Sequence, residues 1–130
     1  MNTKNQVIIL SAELSQLDYY VNQDRTTLLR NMLIDIGLPF RSVRGFYKGT
    51  MEHSFLVVIN DMTLFETVRD FAFKTFEQES ILYQESSGLC SLIYNDETVQ
   101  NLGKMHLVNE ETAKMKDSYT QIDDKFYITA

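Results

Sequence analysis

The sequence predicts an α+β fold, a ferredoxin-like two-layer sandwich of the split βαβ type with an extra C-terminal strand. Three observations carry this expectation. Apolar runs and helical stripes follow one another in the order strand, helix, strand, strand, helix, strand. Two segments place apolar residues at helical spacing, enough to cover one face of a sheet. Residues 41–59, RSVRGFYKGTMEHSFLVVI, combine alternation with two glycines, Gly45 and Gly49, and read as two strands joined by a tight turn.

The elements follow in order. Residues 7–10, VIIL, form a continuous apolar run that suits a strand buried on both faces. Residues 11–23 mix polar side chains with the pair Tyr19 and Tyr20 and read as a loop with a helical turn. Asp24 is placed as a helix N-cap, because its carboxylate can accept from free backbone N–H groups. Leu28, Leu29, Met32, Leu33 and Ile36 then recur at helical spacing until Gly37 and Pro39 stop the helix. In residues 41–48, Val43, Gly45 and Tyr47 share one side, and Ser42, Arg44, Phe46 and Lys48 the other. Residues 49–51 are read as the hairpin turn and residues 54–59 as a buried strand.

Thr63 and Glu66 stand at capping-box spacing before a stripe of Leu64, Phe65, Val68, Phe71, Ala72, Thr75 and Phe76. Such a stripe covers a sheet. Ser80–Gln84 and Leu89–Tyr94 form a hairpin across the turn-like residues 85–88. Beyond Asn95 the periodicity decays. Residues 98–102 read as a helical turn ended by Gly103, residues 109–117 as polar and helical, and residues 125–129 as a last strand. Residues 1–130 are expected to make one domain, with 104–130 as a C-terminal extension. The last strand, left at a sheet edge, offers a route to a homodimer.

Composition narrows the function classes. A net charge of −6 disfavours general binding to nucleic acid or to anionic membrane, which requires neutralising phosphates. A protein partner or a small ligand is more natural. With a lone cysteine, Cys90, and no basic N-terminal segment leading into an apolar core, the expected compartment is the cytoplasm. Charge is unevenly spread: residues 24–48 sum to +3 and the remainder to −9.

That basic stretch supplies one candidate site. Arginine presents a planar fork of donors that matches phosphate or carboxylate, so Arg41 and Arg44, with Lys48 and the backbone at Gly45 and Gly49, can hold an anion such as a nucleotide. Tyr47 or Phe46 can stack on its base. The simpler alternative is that the glycines mark only a bulge and a turn. Glu52, His53 and Ser54 supply general-base, acid and nucleophile side chains, but neighbours in a strand point to opposite faces, so only Glu52 and Ser54 share a side. Two isolated histidines and one cysteine lack metal-ligand spacing, and no metal or cofactor is implied. Tyr19, Tyr20, Phe126 and Tyr127 are candidate interface anchors.

The series Ser11-Ala12-Glu13, Arg30, Gly45-x-Tyr47-x-Gly49-x-x-Glu52-x-Ser54-Phe55-Leu56-Val57 and Phe76-x-Gln78-Glu79-Ser80-Ile81-Leu82 resembles a group of small proteins of bacteria and their viruses. No activity is attached to that group. The resemblance implies an α+β fold and a cytoplasmic setting, the host cytoplasm for a phage-encoded chain. It gathers Arg30, Arg44, Tyr47, Glu52, Ser54 and Gln78 as one candidate site. The reading that follows is a non-enzymatic phage accessory protein, an anti-defence factor that inhibits or redirects a host protein or a host defence signal. The alternative is a small enzyme acting on a nucleotide or modified nucleic acid through Glu52 or His53.

Overall fold

In a computed structural model, which describes residues 5–130, the chain forms a closed antiparallel barrel of eight strands. The strands are β1 (Gln6–Leu10), β2 (Phe40–Tyr47), β3 (Thr50–Ile59), β4 (Ser80–Gln84), β5 (Leu89–Tyr94), β6 (Val99–Val108), β7 (Ser118–Ile122) and β8 (Lys125–Thr129). Their order around the barrel is β1-β3-β2-β7-β8-β6-β5-β4. Helix α1 (Tyr19–Ile36) links β1 to β2, α2 (Phe65–Asp70) lies between β3 and β4, and the short α3 (Glu110–Lys114) precedes β7. None of the described helices is long and apolar enough to cross a membrane.

The barrel corrects the ferredoxin-like two-layer sandwich. The arc β4-β1-β3-β2 is present, but neither end of it is an edge. β2 is taken up by β7, and β4 continues through β5 and β6 to β8, so the sheet closes on itself. Closure removes the open edges that a sandwich would have to protect. It also removes the edge route to a homodimer, since β8 is paired on both sides, to β6 and β7.

Strand alternation then feeds two cores. Outside the barrel, Ile8, Leu10, Phe55, Val57, Ile59 and Ile81 meet α1 through Leu29 and Leu33, and meet the α2 region through Val68, Ala72 and Phe76. Inside it, Val7, Ile9, Val43, Leu56 and Ile122 pack with Leu82, Met105 and Tyr127. The second core is what the sandwich lacks. Cys90 is buried, and that burial pushes its thiol up from the ordinary value.

Local chemistry explains the element ends. Helix α1 begins at Tyr19, ahead of the expected Asp24, because the Asp18 carboxylate accepts from the Val21 N–H at 2.9 Å. Gly37 ends it with φ 75°. The β2–β3 turn is the pair Lys48-Gly49, both at positive φ, as a two-residue hairpin demands, so the turn sits one residue earlier than residues 49–51. Asp61, not a Thr63–Glu66 box, caps the turn at Met62–Leu64: its carboxylate accepts from both the N–H and the hydroxyl of Thr63. Residues 98–102 belong to strand β6, not to a helical turn. Gly103 with φ 83° forms a bulge there, and a Cβ on it would lie 2.5 Å from the carbonyl of Ala130.

Candidate active site

The site forms where β1 ends. Leu10 is the last residue of β1 paired with β3, opposite Phe55, and beyond it the backbone ladder stops. The next stretch of β3 then lacks a backbone partner on that side. Two side chains replace the ladder: the Ser11 hydroxyl donates to the His53 carbonyl at 2.7 Å, and the His53 N–H donates to the Glu13 carboxylate at 2.6 Å. The Glu13 N–H in turn donates to Ser11 Oγ at 3.0 Å. Glu13 is thereby fixed at the lip of the barrel.

Glu52 faces the same lip from β3. It shares the inward face with Leu56 and is paired across the ladder with Gly45 of β2. Gly45 has room for a methyl group, since a Cβ there would meet Ser54 Oγ at 3.7 Å and the Glu52 carbonyl at 3.8 Å. The missing side chain therefore leaves space beside Glu52. Tyr47 is the diagonal neighbour on the same face, 61% exposed, with Lys48 Nζ 5.3 Å from its ring centre. Ser54 lies one step deeper and is buried.

The electrostatics of this lip are unusual. Glu52 meets solvent, yet protein on most sides keeps bulk water from its carboxyl. That poor hydration, reinforced by the negative charge of Glu13, raises its pKa to about 7. Among the described residues no lysine or arginine forms an ion pair with either carboxylate. Two acids thus lie close enough to interact with no ion-pair partner among the described residues.

The predicted site residues divide accordingly. Tyr47, Glu52 and Ser54 share the lip, and Gln78 reaches it from below, its side-chain amide donating to the Glu13 carbonyl at 2.9 Å. The basic residues do not converge. Arg30 is exposed on α1, and Arg44 is exposed on the outer face of β2, opposite His53. Arg41 faces inward at the other mouth of the barrel, paired with Asp123 beside a depression of about 200 Å³ that Val7, Val58 and Tyr127 help to line. Lys48 sits in the turn, over Tyr47. The strand twist and reach that separate these cations leave no common anion cradle. Ser11 and Glu13 were visible only as part of the spaced series, because their role depends on β1 ending at Leu10.

No group of three or more histidine, cysteine, aspartate or glutamate side chains that could hold a metal occurs among the described residues. A search of curated proteins finds no match. A family model, the S-adenosylmethionine lyase family, matches residues 8–130. The match overturns the anti-defence accessory reading and, of the alternative of a small enzyme acting on a nucleotide or modified nucleic acid, supports the enzyme. Spanning all but the first few residues, it establishes that this chain belongs to the S-adenosylmethionine lyase family.

Proposed function

We propose that this protein cleaves a carbon–sulfur bond of S-adenosylmethionine at the Glu13–Glu52 lip. One observation carries the reading: Glu52, its pKa raised to about 7, feels the charge of Glu13, and neither carboxylate has a lysine or arginine ion-pair partner among the described residues. An arrangement of this kind is suited to a ligand that brings the positive charge. S-Adenosylmethionine carries two, a fixed sulfonium and an ammonium. Its arrival offsets the repulsion between the two acids and draws Glu52 into its ionised form. Tyr47, exposed beside the acids, offers a ring on which the adenine can stack.

The chemistry fits a site with no dedicated acid. When the bond between sulfur and the four-carbon chain breaks, its electron pair stays on sulfur, and the sulfonium becomes the neutral thioether of methylthioadenosine. No proton is needed at the leaving group. The vacated carbon then bonds to an oxygen of the substrate's own carboxylate, giving a lactone, or forms a double bond as a neighbouring proton leaves. In the first course Glu52 and Glu13 hold the ammonium, and the charges of carboxylate and sulfonium cancel in a poorly hydrated place that favours their cancellation. In the second, the Glu52 carboxylate takes the proton.

Incubation of the purified protein with S-adenosylmethionine, followed by chromatography for methylthioadenosine, tests the proposal. Formation well above the spontaneous rate, lost in Glu52→Gln, is expected. Proton NMR separates the two courses, because only the double bond gives vinyl signals. A rate no higher than the spontaneous one overturns the proposal.

A further inference from the structure

Residues 12–14 carry Glu13 but belong to no strand or helix. Three consecutive carbonyls in this segment each accept from a different side chain. Arg25 Nε donates to Ala12 at 2.6 Å, Gln78 Nε2 to Glu13 at 2.9 Å, and Asn22 Nδ2 to Leu14 at 2.9 Å. Asn22 closes a second bond by accepting from the Leu14 N–H at 2.9 Å. Asn22 and Gln78 are buried, where a donor spent on an irregular segment is costly to lose.

The supports are themselves joined. Arg25 Nη2 donates to the Phe76 carbonyl at 2.5 Å and its guanidinium lies 5.4 Å from the centre of the Phe76 ring. Gln78 Nε2 also donates to that carbonyl, at 3.2 Å. Phe76 is available because the chain leaves α2 through a π-helical turn, Phe71–Thr75, closed by the Phe76 N–H on the Phe71 carbonyl at 3.1 Å. Glu77 follows at φ 54°, and the Gln78 N–H then returns to the Ala72 carbonyl at 2.9 Å. An irregular helix end and a left-handed residue thus deliver Gln78 beneath Glu13. Backbone carbonyls in an irregular segment this close to the core need partners, and here all three are supplied by side chains from two other segments.

We propose that Asn22, Arg25 and Gln78 are positioning residues, which clamp residues 12–14 so that the Glu13 carboxylate is held beside Glu52. The inference deepens the functional proposal and rests on it for its meaning, but its test does not need the substrate. Lysine at position 25 can reach one carbonyl and not both. Asparagine at position 78 is one methylene too short for the Glu13 carbonyl. Arg25→Lys and Gln78→Asn therefore loosen the clamp with little change in charge.

The carboxyl of Glu52 can be followed by carbon NMR in protein labelled at the glutamate carboxyls, with Glu52→Gln supplying the assignment. In both variants the Glu52 midpoint is expected to fall part of the way from about 7 as Glu13 drifts away, with burial, the larger cause of the shift, holding the rest. With S-adenosylmethionine, kcat/KM is expected to fall by up to about 10²-fold, the order reached when a reacting group is misplaced by about 1 Å. A midpoint that stays put in folded variants, even with lowered thermal stability, makes the three residues merely structural and overturns the proposal. Should Gln78→Asn fail to fold, the half-buried Arg25 carries the same test alone. A wild-type chain that cleaves no S-adenosylmethionine sinks the functional proposal and leaves the midpoint measurement standing.

Discussion

The two mouths of the barrel treat charge in opposite ways. At the mouth beside Leu10 the sheet brings together Glu13 and Glu52, two acids with no counter-cation among the described residues. At the other, Arg41 meets Asp123 as an ordinary exposed ion pair. The same strands build both: β2 carries Arg41 near its start and Gly45 near its end, and β3 carries Glu52 near its start and Val58 near its end. Holding like charges together costs a folded chain stability, which is why we place the proposed ligand at the acidic mouth.

Neutralising one mouth at a time separates the two most strongly. Glu52→Gln is expected to lower kcat for S-adenosylmethionine cleavage by about 10²-fold or more, the scale of losing a charged group at the reacting centre. Arg41→Ala, at the other mouth, is expected to leave it within about twofold. Steady-state assays of methylthioadenosine formation measure both. Equal losses would erase the distinction between the mouths.

The space beside Glu52 is the next point of attack. Gly45→Ala fits, because the added methyl finds only ordinary contacts. Gly45→Val fills the inward face next to the acid, and KM is expected to rise about tenfold, near the 1.4 kcal/mol that a factor of ten represents. Binding titrations would show whether the valine acts on affinity, as expected, or on turnover. An unchanged KM in Gly45→Val would place the substrate elsewhere.

A third measurement uses pH. Glu52 has its folded pKa raised to about 7, so between its ordinary carboxylate range and 7 the folded chain holds a proton that the unfolded chain has lost. That contribution to stability is fully present at acid pH and disappears as pH rises through 7. Glu52→Gln should therefore raise the melting temperature relative to the parent at pH 8 and change it little at pH 5. A cationic substrate needs the ionised form, so its affinity should climb over the same rise in pH, with proton uptake by buffer detectable by calorimetry near pH 6.5. A pH-independent affinity would remove Glu52 from the binding site.

The sequence was a good guide where structure is local. The apolar runs of β1, β3, β4 and β5 were readable because those strands face a core on at least one side. β6 was not. The bulge at Gly103 shifts its register, and many of its side chains face solvent, so neither period survives. β7 is a short alternating segment, SYTQI, whose role is set by pairing with β2 some seventy residues earlier, and no local signal announces such a partner. Missing β6 and β7 turned a barrel into a sandwich. The start of α1 was missed because Tyr19, Tyr20 and Val21 face solvent while Asn22 is buried, the reverse of what an apolar stripe would show. For the site, strand alternation was enough to separate Glu52 and Ser54 from His53, but reach along the strand was needed to see that Arg41 belongs to the far mouth.

The smallest effect belongs to that far mouth. Arg41 and Asp123 are 49% and 75% exposed in their side chains, so solvent screens their attraction and both side chains lose freedom in pairing. A double-mutant cycle of Arg41→Ala and Asp123→Ala should give a coupling of about 0.2–1 kcal/mol in urea unfolding, shrinking as salt is raised. The matching cycle of Glu13→Gln and Glu52→Gln should have the opposite sign at pH 8: either substitution alone relieves the repulsion, and the second adds little to the first. If both mouths gave the same sign, the acids would already be compensated by another partner and would not await a cation.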